Sequence, residues 1–166
     1  MSVKCNKIPK LIEMEDYKDY HEYEDAVYNA YEVSYGSKHF SYNGMPIYQK
    51  KMPLFKDKPC TFWHIISSGP EEASRIPDLR RYERVQWPGY ILSYCVNQCN
   101  NILIWESTRK SKQRVLIWCK DIDYLVVLDK RKDFYLFWTA YPVTYGRKRH
   151  TLQAEYDAYI IAKAAH

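Results

Sequence analysis

NILIWESTRKSKQRVLIWCKDIDYLVVLDKRKDFYLFWTAYPV, residues 101–143, is the stretch that decides the fold. It contains four runs rich in β-branched and aromatic residues, at 101–107, 113–119, 123–129 and 134–143. The connections between these runs are short: Ser107–Ser111, Lys120–Ile122 and Asp129–Asp133. Links of this length join neighbouring antiparallel strands, because a parallel pair needs a crossover of about a dozen residues or more. The stretch therefore predicts an antiparallel meander.

A helix is predicted on each side of this meander in the chain. The first covers residues 13–35, where apolar positions recur at three- and four-residue steps: Tyr20, Tyr23, Val27, Ala30 and Tyr31. The second covers residues 149–163, with the same spacing at Leu152, Tyr156, Tyr159 and Ile160. We therefore expect an α+β fold with one domain, residues 1–166, in which a twisted antiparallel β-sheet takes the N-terminal and C-terminal helices on one face.

Three shorter elements are predicted between the first helix and the meander. Residues 44–50 indicate an edge strand, because a proline lies within them. Residues 60–67, CTFWHIIS, indicate a strand that ends at Ser68-Gly69-Pro70. Residues 77–87 indicate a short helix closed by Trp87-Pro88-Gly89.

The composition excludes several classes of protein. Hydrophobic residues make up 46% and charged residues 27% of the 166, which is ordinary for a globular protein and argues against disorder. No apolar run reaches about 18 residues, so we expect no membrane association. The N-terminal residues lack the apolar stretch of a secretory signal, which favours a cytoplasmic protein. None of the five glycines forms a phosphate-binding loop, so no nucleotide cofactor is expected.

Charge is unevenly distributed along the chain. In residues 1–59, the predicted acidic helix and edge segment, nine lysines balance nine acidic residues. Residues 60–166, the predicted sheet core and C-terminal helix, carry 16 basic and 11 acidic residues, and all nine arginines lie there. The imbalance favours an anionic partner such as nucleic acid. A solvated acidic helix face on a mildly basic protein explains the same numbers.

The five cysteines predict neither disulfides nor a metal site. An odd number of cysteines without a signal peptide favours reduced thiols. Cys95 and Cys99 stand four residues apart, but no second Cys or His pair follows at zinc spacing. We therefore expect buried thiols and no bound metal.

His64 is the first candidate for chemistry. Strand alternation would place it with Phe62 and Ile66 on one face of CTFWHIIS. An imidazole at the edge of a cleft can serve as general acid or base. A satisfied structural histidine is the alternative.

Arg80, Arg81, Glu83 and Arg84 form a second candidate group. Guanidinium groups suit phosphate oxygens, and a glutamate among them stays ionised and can accept a proton or orient the arginines. Ion pairs on a helix surface are the alternative.

Hydroxyl and basic groups near the end of the meander are further candidates. Thr139 and Tyr141 are expected to point to one side of their strand, opposite Trp138 and Ala140, where they could bind phosphate. A packed aromatic strand is the alternative. The basic segment Arg147–His150 follows Tyr145 and offers cations and rings to nucleic acid, although a basic surface turn explains it equally well.

Six segments together resemble the phage-associated nucleases of the barnase–EndoU–colicin–RelE-like group. They are FWHIISSG (62–69), IPDLRRYERVQWP (76–88), LIWES (103–107), YLVVLDKR (124–131), LFWTAYPV (136–143) and AEYDAY (154–159). The resemblance implies a compact sheet-and-helix fold and a cytoplasmic, metal-independent endoribonuclease of the toxin or phage-conflict type. In such enzymes the 2′-hydroxyl attacks the adjacent phosphate and leaves a 2′,3′-cyclic phosphate.

The resemblance also implies roles for the candidate residues. His64 would be the acid or base, Arg81 and Arg84 would clamp the phosphate, and Glu83 would be a base or an orienting group. Thr139 and Tyr141 would contact the phosphate or leaving group. Substrate contacts would come from Arg80, Tyr145, Arg147 and Arg149. The expected partners are RNA, with transfer RNA as one candidate, and an antitoxin or immunity protein.

Two other hypotheses stay open from the sequence. The same scaffold could be a non-catalytic module that binds RNA or protein. Alternatively, the acidic N-terminal helix could dock a basic partner in a sheet-based interaction protein.

Overall fold

Hydrogen bonding between strands organises the molecule around a six-stranded sheet. The computed structural model describes Cys5 and residues 7–166. Its strands are β1 (Phe40–Tyr42), β2 (Met45–Tyr48), β3 (Ser67–Ser68), β4 (Ile76–Pro77), β5 (Ile102–Arg109), β6 (Lys112–Cys119), β7 (Tyr124–Lys130) and β8 (Tyr135–Pro142). Its helices are α1 (Tyr20–Tyr31), α2 (Cys60–Ile66), α3 (Leu79–Glu83), α4 (Trp87–Tyr90), α5 (Val96–Gln98) and α6 (Gly146–Ala164). The large sheet has the order β1-β2-β8-β7-β6-β5, and β3 pairs with β4 in a separate ribbon.

The predicted meander is confirmed as β5 to β8, and the α+β class is confirmed with it. Each neighbouring pair among these four strands is antiparallel. Arg109 pairs with Lys112, so only Lys110 and Ser111 form the first turn, with φ of 48° and 61°. Two left-handed residues in succession make the turn whose twist matches that of the strands it joins. This turn places basic residues of both strands at one end of the sheet.

The predicted edge strand at 44–50 is wrong in its position within the sheet. Residues 45–48 form β2, which pairs antiparallel with β1 and parallel with β8, so the edge strand is β1 and the sheet is mixed. Asn43 and Gly44, with φ of 49° and 75°, make the two-residue turn that folds β1 back onto β2. Asn-Gly is the strongest short hairpin signal in a sequence, and it stands directly before the predicted strand.

Both faces of the sheet are apolar, and helices cover both of them. Val115, Ile117, Val126 and Leu128 face one core, with α1, α2 and the helical segment 87–98. Their neighbours in β6 and β7 face a second core, which Leu152 of α6 covers. The expectation that all helices lie on one face is therefore wrong. Runs without hydrophobic–polar alternation, such as VLIW and YLVVL, are typical of strands buried on both sides.

CTFWHIIS was predicted as a strand, and this prediction is wrong. Residues Cys60–Ile66 form α2, whose first two N–H groups donate to the carbonyl oxygens of Lys51 and Lys50 at 3.1 and 2.9 Å. Almost every residue of α2 is buried, so the helix shows no polar face. Periodicity cannot separate such a short buried helix from a buried strand. As a consequence, His64 lies one helical turn after Cys60.

The boundaries of the other helices also differ from the prediction. Leu79–Glu83 forms the short helix predicted within 77–87, and the Asp78 side chain caps it. Trp87-Pro88-Gly89 does not close this helix but begins a helical segment that runs to Gln98 through a π-helical turn, Ile91–Cys95. Proline is tolerated there because it stands in the first turn.

The two long predicted helices are present with shifted starts. Residues 13–35 divide into a 3-10 turn, α1 and a π-helical turn, and Tyr23, Val27 and Tyr31 are buried as expected. The C-terminal helix begins at Gly146, so the basic residues 147–150 lie in its first turns rather than before it. On its predicted apolar face Leu152 is buried, whereas Ile160 is exposed. No helix of the described residues is long and apolar enough to span a bilayer.

Candidate nucleic-acid interface

The second face of the sheet is open where α6 does not reach, and a groove of two adjoining cavities lies there. The first, of about 460 Å³, is lined by Arg109, Lys110, Lys112, Arg114, Leu116, Val127, Trp138, Thr139 and Tyr141. The second, of about 320 Å³, is lined by Asp78, Arg80, Arg81, Tyr141, Pro142, Val143, Thr144, Tyr145 and Lys148. Tyr141 belongs to both. We call these two cavities together the cationic groove.

Trp138 forms the floor of the first cavity and carries two cations. The guanidinium carbon of Arg114 lies 3.9 Å from the centroid of the Trp138 ring, and Lys112 Nζ lies 5.7 Å from it. Arg114 Nη1 is 3.5 Å from Asp129 Oδ1 and makes no hydrogen bond to any described residue. Arg114 is 8% exposed and its Nη1 is buried, so the stacked guanidinium gives the wall of the cavity positive charge rather than a free donor.

A β-bulge explains why Trp138 lies in the groove. Val127 pairs with Thr139, but the next residue, Leu128, pairs with Phe137, so Trp138 is the extra residue. The sequence prediction placed Trp138 opposite Thr139 and Tyr141, and this is wrong because a bulge interrupts strict alternation. Thr139 and Tyr141 do share one face, and Ala140 lies on the other, as predicted.

Arg81 lies between α2 and the groove. Its Nη1 donates to the Ser67 carbonyl oxygen at 2.7 Å and lies 3.5 Å from Thr139 Oγ1. Its guanidinium carbon is 5.1 Å from the centroid of the Tyr141 ring. The structure therefore brings together three of the predicted residues, with Arg81 partly engaged by the end of α2.

The imidazole of His64 lies behind β8 rather than in the groove. Its Nδ1 is 3.3 Å from the Trp138 carbonyl oxygen, and its Nε2 is 2.9 and 3.0 Å from the two carboxylate oxygens of Glu72. Both partners accept hydrogen bonds, so a neutral ring satisfies one of them and an imidazolium satisfies both. His64 is 7% exposed and lines neither cavity, whereas its backbone carbonyl accepts from Arg81 at 3.3 Å.

Glu72 is the partner that sequence reasoning missed, because it lies in a segment without periodicity. Burial opposes the charged carboxylate, but hydrogen bonds from His64 and Cys60 outweigh it and lower the pKa of Glu72. Cys60 Sγ donates to Glu72 at 3.3 Å, and the ligand atoms of Cys60, His64 and Glu72 lie within 4.8 Å of one another. These three groups could hold a metal ion, although their hydrogen bonds already satisfy one another.

Glu83 and Arg84 are not brought to the groove. Arg84 Nη1 donates to the Arg80 carbonyl oxygen at 2.9 Å and to Glu83 at 3.1 Å, and its guanidinium stacks on Trp87. Glu83 lines a separate shallow cavity with Glu13, Met14 and Glu15. The helix ends at Glu83, and Arg84 leaves helical geometry, so the two side chains diverge from Arg81.

The basic residues near the start of α6 have different positions. Arg149 Nε donates at 2.5 Å to Asp123, the residue before β7, and so ties α6 to the β6–β7 turn, while exposed Arg147 lines neither cavity. Tyr145, 73% exposed, and Arg80 line the second cavity, as a substrate contact requires.

Lys148 also lines the second cavity; it belongs to the predicted basic segment Arg147–His150 but was not among the predicted substrate contacts. Burial and the nearby Arg109 cation lower the pKa of Lys148. The sequence prediction began the last helix at residue 149, whereas α6 begins at Gly146 and therefore includes Lys148 in its first turn.

Comparisons of this chain with protein-family models, curated proteins and solved structures found no match. The resemblance to the barnase–EndoU–colicin–RelE-like group stays a prediction that depends on the quoted segments.

Proposed function

We propose that this chain binds RNA in the cationic groove and cleaves it as a metal-independent endoribonuclease. The observation that carries the proposal is the groove itself, in which Arg81, Arg109, Arg114 and Lys148 surround the rings of Trp138 and Tyr141. Single-stranded RNA is bound by cations that contact phosphates and by rings on which bases stack. Among the described residues that line the groove, Asp78 is the one carboxylate, and it lies 3.6 Å from Arg81 Nε; the groove therefore favours phosphate over a divalent metal.

The side chains in the groove can catalyse the transesterification of an RNA phosphodiester. The 2′-oxygen forms a bond to phosphorus, the bond to the 5′-oxygen breaks, and one proton leaves the 2′-hydroxyl while another reaches the 5′-oxygen. Lys148 is the proposed base, because its lowered pKa increases the neutral fraction. Burial raises the pKa of Tyr141, although the Arg109 and Arg81 cations act in the opposite direction. The phenol of Tyr141 therefore keeps a proton that it can donate. Arg81 and Arg114 would stabilise the charge that develops on the phosphate.

His64 has a positioning role in this proposal rather than an acid–base role. Its ring holds the Trp138 carbonyl from behind β8 and pairs with Glu72 on its other side. The Trp138 ring is thereby fixed beneath Arg114.

A non-catalytic RNA-binding module is the second candidate. The observation in its favour is that the predicted acid–base histidine is enclosed with both nitrogens engaged. Arg109 is also paired, since its Nη2 donates to both Glu155 oxygens at 2.8 and 2.9 Å. A groove of this kind binds RNA whether or not it cleaves it.

Incubation with a labelled single-stranded RNA in EDTA separates these functions, with folding followed by near-UV circular dichroism. The nuclease proposal expects cleavage with 2′,3′-cyclic phosphate ends, reduced about 10²-fold or more in Tyr141→Phe and Lys148→Gln. Lys38→Gln, an exposed lysine outside the groove, is the control and should cleave normally. Binding without cleavage would establish the module instead, and no binding at low salt would overturn both.

A further inference from the structure

Four of the five cysteines converge at one end of the core. Cys5 Sγ lies 2.6 Å from Cys99 Sγ, 3.1 Å from Cys119 Sγ and 3.2 Å from Cys95 Sγ. All four are free and buried. They come from the N-terminal segment, the end of the π-helical turn, the residue after α5 and the last residue of β6. Side chains separated by up to 114 residues thus meet at one point.

We propose that Cys5, Cys95, Cys99 and Cys119 form a binding site for one zinc ion. Four thiolates in a tetrahedron are a standard structural zinc site, and the Zn–S bond of about 2.3 Å places the sulfurs about 3.8 Å apart. Cys5 Sγ lies 2.6–3.2 Å from the other three sulfurs, so it would move outward by roughly 1 Å to reach that spacing. Cys99 Sγ is not part of the set of sulfurs that lie within 4.8 Å of one another, so it would move towards the others when the ion binds. The ligand atoms of Cys5, Cys95 and Cys119 already lie within 4.8 Å of one another.

A single ion fits this cluster better than an iron–sulfur centre or a disulfide. In an iron–sulfur cluster each iron takes its own cysteines, which holds the sulfurs further apart than one shared ion does. A disulfide would need an S–S bond of about 2.05 Å, which is shorter than each of the three distances from Cys5 Sγ to the other sulfurs. The Cys95–Cys99 spacing also falls within the range of zinc-binding pairs, and the fold supplies Cys5 and Cys119 as the second pair.

The backbone around the cluster supports the ligands. The Cys5 N–H donates to Asp121 at 3.2 Å, and the Asn101 side chain donates to the same carboxylate at 2.8 Å. Hydrogen bonds of this kind orient metal ligands.

The ion would have a structural role, separate from the cationic groove. Cys119 faces the first core, whereas Arg114 of the same strand faces the groove on the other side of the sheet. Along β6 the two residues are about 17 Å apart at the usual rise of a strand. With no exposed sulfur, the site is closed to substrate, and the ion would tie the N-terminal segment and the helical segment 87–98 to the sheet.

Metal content measured by mass spectrometry tests the proposal on full-length protein purified under reducing conditions from zinc-containing medium. Wild type is expected to hold about one zinc per chain, as structural sites of this type do. Cys5→Ser and Cys99→Ser are expected to lose most of it. Cys60→Ser distinguishes this site from the Cys60–His64–Glu72 group, because it removes a buried free thiol of that group and leaves the four-cysteine cluster intact; it should keep the full amount of zinc, and loss of the zinc would place the ion at that group and overturn the proposal.

Replacement of zinc by Co²⁺ in wild type gives a readout that does not depend on whether a variant folds. The site is expected to show the visible bands of tetrahedral Co²⁺ and thiolate-to-metal charge transfer in the near ultraviolet. Wild-type protein without bound metal and without this Co²⁺ spectrum would overturn the proposal. A Cys5–Cys99 disulfide found by peptide mapping of protein purified without reductant would overturn it as well.

Discussion

Trp138 links the groove to the buried histidine behind it. Its ring carries Arg114 on the groove side, and its carbonyl oxygen accepts from the His64 imidazole on the other. The bulge in β8 makes both contacts available to one residue, because the extra residue turns its ring to the face of Thr139. The His64–Glu72 pair and Arg114 of the groove therefore contact the same residue from opposite sides.

Glu72→Gln tests the contribution of this pair to stability. The pKa of Glu72 is lower in the folded chain than in the unfolded one, chiefly through the His64 hydrogen bond once burial is overcome. The carboxylate therefore stabilises the fold above the ordinary glutamate pKa, and this contribution is lost as pH falls through the lowered value. Because the Glu72 side chain is 56% exposed, we expect a loss of only about 0.5–1 kcal/mol at pH 7.

Urea unfolding of wild type and Glu72→Gln between pH 7 and pH 3 measures this effect. The difference in unfolding free energy should shrink as the pH falls. Glu71→Gln, at the exposed neighbouring position, serves as control and should match wild type throughout. A difference that stays constant with pH would show that the charge of Glu72 does not stabilise the fold.

At the residue scale, the sequence predicted those contacts that follow from regular alternation. Thr139 and Tyr141 share a face because their strand is regular from Thr139 onward. Trp138 was misplaced because nothing in the local pattern marks a bulge. Glu72 and the four-thiol cluster could not be predicted, since each depends on segments that only the tertiary fold brings together.

At the scale of helices and strands, an element could be predicted from the sequence where its length and its residue composition both indicated the same type of element. The strands of the meander are seven or eight residues long, rich in β-branched and aromatic side chains, and joined by short turns. Helix α2 has only seven residues and is enclosed on all sides, so burial and not periodicity decided its state. The β1–β2 hairpin is different, because its Asn43-Gly44 turn was available in the sequence and would have identified it.

The segment from Trp87 to Gln98 depends on close packing against the end of α1. A Cβ placed on Gly89 would overlap the Ser34 carbonyl oxygen, which belongs to the backbone of the π-helical turn Glu32–Gly36 that follows α1. Gly89→Ala is therefore expected to destabilise the fold by about 1–3 kcal/mol, although alanine favours helices more than glycine does.

Thermal and urea unfolding of two glycine variants checks this prediction. Gly146→Ala is the matched control, since a Cβ there meets nothing within 4 Å and the residue begins α6. Its stability should equal or slightly exceed that of wild type. Equal stability for both variants would mean that the segment and the end of α1 can separate without cost.

At the scale of the whole molecule, the two faces of the sheet differ: one is covered by the larger core, and the other includes the cationic groove. One face is buried under α1, α2 and the segment 87–98, with the four cysteines at one end. The other is covered by α6 over part of its area and presents the cationic groove over the rest. The sequence indicated that residues 60–166 are basic, but it did not indicate that the groove and the larger core lie on opposite faces of the sheet. That arrangement depends on α6 packing on the second face, which the burial of both faces of β6 and β7 requires.

The salt dependence of RNA affinity measures how many groove cations contact phosphates at once. Each phosphate neutralised on a single strand contributes about −0.7 to the slope of log affinity against log salt. Lys112→Gln and Lys110→Gln each remove one groove cation, so each should weaken the slope by about 0.7. Lys38→Gln removes an exposed charge outside the groove and should leave the slope unchanged. Equal slopes for all three variants would place the RNA on another surface, because a strand seated in the groove releases fewer counterions once a lining cation is lost.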